Sequence, residues 1–191
     1  LVLDALEQSG RSDNTIIVLW SDHGFHLGEK GRWRKASLWS ESHRIPFIIA
    51  APGITTPGSV SNSPVSTLDI YSTLAELTEM EAPTHVQGTS LVPILKDPSK
   101  RPNRAAVSTS AFKTHVVSGQ RFRYLVYPDG SEELYDIEAD PHEWRNLASD
   151  PAYAEYKTKL SQWLPKQNAP QIGGPPTGGR GGQRPAGAHL E

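Results

Sequence analysis

The chain has 191 residues, enough for one domain with a proper core and short for two. Its 36% hydrophobic content is low for a compact globule, and 16 glycines and 16 prolines explain part of that. A net charge of -2 argues for neither nucleic acid nor an anionic membrane, and the lack of cysteine excludes disulfides and thiolate metal sites within the chain.

Residues 1–9 carry apolar side chains at 2, 3 and 6 and stop at Gly10, which predicts the last turns of a helix. This start lacks a basic segment and a cleavage site, and its first residue is Leu1 rather than Met. The expectation is that the chain begins inside a longer protein. After the turn Ser12-Asp13-Asn14, the run Thr15-Ile16-Ile17-Val18-Leu19-Trp20 predicts a strand, and Ile45-Pro46-Phe47-Ile48-Ile49-Ala50 predicts the next. Two uniformly apolar strands suggest an α/β sheet covered on both faces. Thr67 is a candidate N-cap for a helix over 68–78, with Leu68, Tyr71, Leu74, Ala75 and Leu77 on its apolar face. Residues 91–95 form a short apolar segment before the turn at Asp97-Pro98.

After about residue 104 the pattern changes. Residues 105–109, 114–117, 122–127 and 133–137 are short and β-rich, with a tight-turn signal at Pro128-Asp129-Gly130-Ser131. They predict an antiparallel sheet. Asp150 as N-cap and Pro151 in the first helical position open a final helix to about 164. The division expected is 1–104 for the α/β part, 105–165 for the antiparallel part with its helix, and 166–191 for a disordered Gly/Pro-rich tail. No run approaches the length of a membrane-spanning helix.

The chemistry concentrates after the first strand, in Ser21-Asp22-His23-Gly24-Phe25-His26-Leu27-Gly28-Glu29-Lys30-Gly31-Arg32-Trp33-Arg34-Lys35. Asp22 offers a hard carboxylate and His23 an imidazole nitrogen at a strand end, where open α/β sheets bind ligands. Lys30, Arg32, Arg34 and Lys35 can neutralise a bound sulfate or phosphate. Together they suggest a metal polarising an oxyanion ester, with a lysine stabilising the developing charge. The bland alternative is a turn with a satisfied histidine and four solvated cations. A zinc cluster of Asp22, His23 and His26 is a third reading, which adjacent ligands fit poorly.

Context decides among these. Ser21-Asp22-His23-Gly24, then Leu27-Gly28-Glu29, Gly31, Trp33 and Lys35, then Arg44-Ile45-Pro46-Phe47-Ile48-Ile49 and Ala51-Pro52-Gly53, closely resemble the sulfatase family. The iduronate-2-sulfatase and choline-sulfatase branch is the nearest in pattern. Asp69-Ile70-Tyr71, Thr73-Leu74, Gln87-Gly88, Ser90-Leu91 and Pro93 follow in order, and Glu133-Leu134-Tyr135-Asp136 with Asp140-Pro141, Glu143 and Asn146-Leu147 is similar to the C-terminal signature of bacterial sulfatases. The resemblance spans about residues 1–165.

It implies part of an alkaline-phosphatase-like α/β sheet with a smaller C-terminal antiparallel β subdomain and terminal helix. It implies hydrolysis of sulfate esters of a sugar or polysaccharide by a formylglycine hydrate beside a divalent cation. Asp22 and His23 match two metal ligands, and Lys35 matches the lysine that contacts sulfate. Calcium is the metal implied, although its preference for oxygen leaves manganese open beside a histidine. Arg44 and His115 stand where relatives carry groups that orient the loop or reach the rim of the site, so both are candidate substrate contacts. A structural role for each stays open, and for His115 pairing on the sheet surface is the favoured reading. His26, Trp33, Trp39, His142 and Trp144 are read as packing or turn residues.

The family's Cys-or-Ser-x-Pro-x-Arg segment, its first metal aspartates and its Lys-x-x-x-His segment have no match in these residues. The expectation is a C-terminal fragment whose nucleophile lies elsewhere. A phosphonate or phosphodiester hydrolase of the same superfamily, or a non-catalytic binding remnant, are the alternatives. The resemblance also implies a periplasmic or secreted parent acting on a sulfated small molecule or carbohydrate, with no nucleic acid partner.

Overall fold

A computed structural model describes residues 1–169. The tail expected over 166–191 therefore lies outside the described residues apart from its first four. Helix α1 (Val2–Gln8) buries no side chain, and Gly10 beyond it takes φ 69 to end it. After a 3-10 turn at Ser12–Asn14 comes β1 (Ile17–Trp20), then a small hairpin of β2 (His26–Leu27) and β3 (Trp33–Arg34). The one-turn helix α2 (Ser40–His43) leads to β4 (Phe47–Ala50).

β1 and β4 pair antiparallel, from Ile17 opposite Ala50 to Trp20 opposite Phe47. Both strands were expected, but in a sheet covered on both faces. Instead Leu19 is 50%, Trp20 52% and Ile48 58% exposed. Among the described residues these two strands have only each other as sheet neighbours, so both outer edges are unpaired, and exposed apolar side chains stand on both faces, Leu19 and Ile48 on one and Trp20 on the other.

Helix α3 (Asp69–Leu77) forms where expected, and Ala75 of its expected apolar face is buried with Leu74 and Leu77 half-buried, but the inward side is rotated toward Asp69 and Thr73. Leu68 and Tyr71 are exposed, while Asp69, Thr73 and Ala75 are buried. Polar staples decide the face. Asp69 accepts from the Ser66 amide (2.8 Å) and the Thr89 amide (2.9 Å) and pairs with Arg104. Thr73 Oγ1 accepts from the Leu91 amide at 2.9 Å. Four satisfied bonds, one fully and three partly buried, outweigh the burial of two apolar side chains, because an unmade buried one would cost about 1–3 kcal/mol. Helix α4 (Val92–Lys96) packs against α3 through this strap.

The last part is a meander of β5 (Ala106–Ala111), β6 (Thr114–Ser118), β7 (Phe122–Val126) and β8 (Glu132–Asp136), all antiparallel in that order. The Asp150 side chain accepts from the Ala152 amide at 3.0 Å and starts the 3-10 turn Pro151–Tyr153, which runs into α5 (Ala154–Ser161). The strand period of two sorts the side chains onto two faces. Val117, Phe122, Tyr124 and Leu134 meet Leu160 of α5 and Leu147. Val116, Leu125 and Tyr135 meet Leu38 from the first half of the chain. The four-stranded sheet is thus a wall with a helix on one side and the segment around Leu38 on the other. That second contact carries the site.

Candidate active site

Ser21 Oγ donates to the His23 carbonyl at 2.9 Å, curling the chain immediately after β1. Gly24 then closes onto α2. Its amide donates to the Ser42 carbonyl at 2.9 Å. A Cβ there would overlap the Glu41 carbonyl oxygen and lie 2.9 Å from that of Arg44. Only glycine fits this approach.

His23 Nδ1 lies 2.7 Å from the Gly24 carbonyl oxygen. A carbonyl only accepts, so Nδ1 carries a proton and Nε2 is the ring nitrogen left to face the side chains of the loop. Nε2 meets Lys35 Nζ at 2.7 Å and Asp22 Oδ2 at 3.2 Å. The Asp22 side chain is largely exposed and that of His23 less than one-third exposed. Two lone-pair atoms this close repel unless a cation stands beside them. The Lys35 ammonium is that cation here. Asp22, His23 and Lys35 therefore lie together at the end of β1.

The backbone around Lys35 is strained. Arg34 and Ala36, on either side of it, take φ 76 and φ 70 without being glycine. Left-handed conformations of this kind cost on the order of 1–3 kcal/mol each and persist where surroundings over-determine them.

The other expected residues distribute differently. Arg44 is exposed, with its carbonyl against Gly24, which puts its backbone beside the site loop. No hydrogen bond or salt bridge joins its side chain to Asp22, His23 or Lys35. His115 is buried on β6, and both ring nitrogens are engaged, Nδ1 with Thr109 Oγ1 at 2.8 Å and Nε2 with Asn168 Oδ1 at 2.7 Å. It holds the chain after α5 to the sheet. His26 is fully buried, bonded to Ser37 Oγ at 2.7 Å and edge-on to Trp39. That removes it from any cluster with Asp22 and His23.

Of the four loop cations only Lys35 reaches His23. Lys30 is turned into an aromatic nest, 4.6 Å from the Trp39 ring centre and 4.4 Å from that of Tyr135, and donates to Tyr135 Oη at 3.1 Å. Burial lowers its pKa, opposed by the nearby Glu133 carboxylate. Arg32 stacks over Trp39 at 5.1 Å. The shared anion role expected for these two is thus replaced by packing, because Trp39 and Tyr135 offer faces that a cation covers.

Sequence reasoning missed the ties that hold this loop down. Arg123 on β7 pairs with Glu143 and donates to the Leu38 carbonyl at 2.8 Å. Glu143 also accepts from the Ser40 amide at 2.7 Å, and Trp39 Nε1 donates to Glu133 at 2.8 Å. Their signal was an arginine in an otherwise apolar strand and an acid in the Asp-Pro-x-Glu motif.

Among the described residues no group of three or more His, Cys, Asp or Glu side chains converges to hold a metal. Asp22 and His23 supply two donors of different hardness. The His23 tautomer, fixed through Nδ1 by a backbone carbonyl, is the one that metal-ligating histidines use.

The strand-end loop thus gathers a carboxylate, an oriented imidazole and an ammonium beside the four-stranded meander. The sequence matches the family model described as N-sulphoglucosamine sulphohydrolase, C-terminal, over residues 28–170, and the chain belongs to the sulfatase family. It is 40% identical over 168 residues to a sulfatase of Formosa agariphila, covering 88% of this chain and 33% of that protein. It is 35% identical to an N-acetylglucosamine-6-O-sulfatase of Bacteroides thetaiotaomicron, over 85% of this chain and 32% of that one. A solved structure described as a complex with its substrate D-glucosamine-2-N,6-O-disulfate superposes with a TM-score of 0.74 at 34% identity, over 84% of this chain and 35% of that chain. The fold is that of the alkaline-phosphatase-like superfamily. The chain spans about a third of the length of these relatives.

Proposed function

We propose that this chain supplies the C-terminal share of a sulfatase active site, in a protein that hydrolyses sulfate esters of a sugar. The observation that carries the reading is the convergence of Lys35 Nζ and Asp22 Oδ2 on His23 Nε2 in a family member. The names of two relatives, one acting on N-acetylglucosamine-6-O-sulfate and one bound to a disulfated glucosamine, support an amino-sugar substrate.

In this reading Asp22 and His23 hold a divalent cation, calcium or manganese, with donors contributed by other residues. Bound there, the cation would polarise the ester and neutralise its charge. Lys35 binds a sulfate oxygen and stabilises the charge that grows on it. Gly24 holds the His23 ring by its carbonyl and keeps the Nε2 lone pair available. Arg44 and His115 keep their candidacy as substrate contacts. For His115 this requires the Asn168 bond to give way. The chain contains no cysteine, so a formylglycine made from cysteine would come from outside these 191 residues.

The test is a fusion of these residues to the remaining two-thirds of the Formosa agariphila sulfatase. The fusion is expected to hydrolyse sulfate monoesters of glucosamine, and Lys35→Ala or His23→Ala within it to lose at least about 100-fold in kcat/KM. Unchanged kcat/KM in both variants, or hydrolysis of phosphonate monoesters in preference to sulfates, would reject the reading.

A further inference from the structure

We infer that the buried Arg123–Glu143 pair is the positioning device of the site, through which the C-terminal sheet sets the His23 ring and the Lys35 loop. This rests on the reading that Lys35 and His23 face a sulfate ester. It assigns a task to two side chains that touch neither.

The path is continuous. Arg123 is anchored in the sheet by its Nε, which donates to Ser118 Oγ at 3.0 Å, and it is 4% exposed. One guanidinium nitrogen pairs with Glu143, and another donates to the Leu38 carbonyl at 2.8 Å. Glu143 is 1% exposed and uses its second oxygen on the Ser40 amide at 2.7 Å, the first residue of α2. Two side chains of the β subdomain thus grip residues 38 and 40 at adjacent backbone groups. Two residues later the Ser42 carbonyl receives the Gly24 amide, and the Gly24 carbonyl receives His23 Nδ1. On the other side, Leu38 lies two residues past Ala36, the second of the left-handed residues beside Lys35.

Stability alone is a poor account of this pair. A buried ion pair offsets its desolvation only with good geometry, and apolar residues of like volume often serve a core as well. Burial lowers the pKa of Arg123, opposed by Glu143, and the three bonds that leave the pair all lead to backbone or sheet atoms. Glu143 itself stands at φ 58, a left-handed conformation held by its turn, in which its amide donates to the Asp140 carbonyl at 3.0 Å. What such an arrangement provides is a fixed place for the segment it grips. A strained loop needs that to keep one conformation. The Asp-Pro-x-Glu motif, far in sequence from the site loop, thereby gains a reason to accompany it.

Two variants of the 191-residue chain separate this from a plain packing role. Glu143→Gln keeps the shape but has one acceptor for two donors, so one of the two grips is lost. Ser40→Pro deletes only the amide that Glu143 receives. Proline is tolerated at the first helical position, and Trp39 before it is already extended at ψ 160. Amide hydrogen exchange at Gly24 is measured against Leu125 in the sheet. The His23 tautomer is read by long-range proton–nitrogen NMR at about pH 8, where a free imidazole is neutral. In both variants Gly24 exchange is expected to rise about tenfold with Leu125 unchanged, and the Nδ1–H tautomer to give way to a mixture. A parallel rise at Leu125, or no change at Gly24 and His23, overturns the proposal. Inorganic sulfate titrated into the unaltered chain judges the underlying reading separately. If it leaves the Lys35 and His23 signals unmoved while the variants shift them, the positioning role stands and the sulfatase reading falls.

Discussion

Gly24 shows how one residue can join two parts of a site. Its amide is bound by α2 and its carbonyl by His23, and its α-carbon faces carbonyl oxygens of residues 41 and 44. Gly24→Ala has no small adjustment open to it, because the obstacles are backbone atoms. The expected cost is about 1–3 kcal/mol in urea unfolding, as for other overpacked positions, with loss of the Nδ1–H tautomer of His23. Asp136 makes a pH-dependent contribution at the same scale. The Arg121 guanidinium, bonded at 2.6–3.0 Å, holds its carboxyl below the ordinary range, helped by the Ala139 and Glu138 amides. A carboxyl depressed on folding adds stability that is complete above its unfolded pKa, about 3.9, and fades as pH falls through the folded value. The stability gap between the unaltered chain and Asp136→Asn should be flat from pH 7 to about 5 and shrink below about 4. A gap that widens on acidification would show the opposite sign of shift.

At the scale of elements, legibility followed periodicity. The four strands of the meander were readable because their side chains alternate between two faces that are both covered, by α5 and by Leu38. The site loop was readable because Asp22, His23 and Lys35 are short-range neighbours. Helix α3 was readable in extent but not in orientation. Its inward face is set by Asp69 and Thr73, whose partners Thr89, Leu91 and Arg104 lie 18 to 35 residues away, beyond any local pattern. The Gly88 position explains the motif that accompanies it, since a Cβ there would overlap the Leu68 carbonyl. The Gln87-Gly88-x-Ser90 pattern therefore marks packing of a strap on a helix rather than chemistry. Thr73→Val should bear this out. The swap keeps the shape but leaves the buried Leu91 amide without an acceptor, at an expected cost of about 1–3 kcal/mol. Tyr71→Ala, on the face a hydrophobic pattern would have placed inside, should change stability by about 0.5 kcal/mol or less. Chemical denaturation of the two variants side by side measures the difference.

At the scale of the whole molecule, burial is unevenly shared. β7 is buried at four successive positions, Phe122 to Leu125, and its neighbours β6 and β8 complete a wall packed on both faces. β1 and β4 have no position classed as buried, and Leu19, Trp20 and Ile48 keep half or more of their area in water. Fully burying such a side chain is worth about 1.5–3 kcal/mol, so the β1–β4 pair lacks most of the drive that holds the meander. The ladder bonds of the two sheets are alike, and what differs is the apolar cover above them. Local opening draws on that cover, because an amide exchanges when its surroundings separate and water enters. The amides of Val18 and Ile49 should therefore exchange at least about 100-fold faster than those of Val117 and Leu125 under native conditions. The site loop lies between these tiers, rooted at β1 in the weaker layer and gripped by Arg123 and Glu143 from the stronger one. Binding a polypeptide that covers Leu19, Trp20 and Ile48 should slow the first pair of amides and leave the second unchanged. Equal protection of both sheets in the chain alone would show that the meander and the β1–β4 pair unfold as one unit, and the grip on residues 38–40 would then be only one of many equivalent ties.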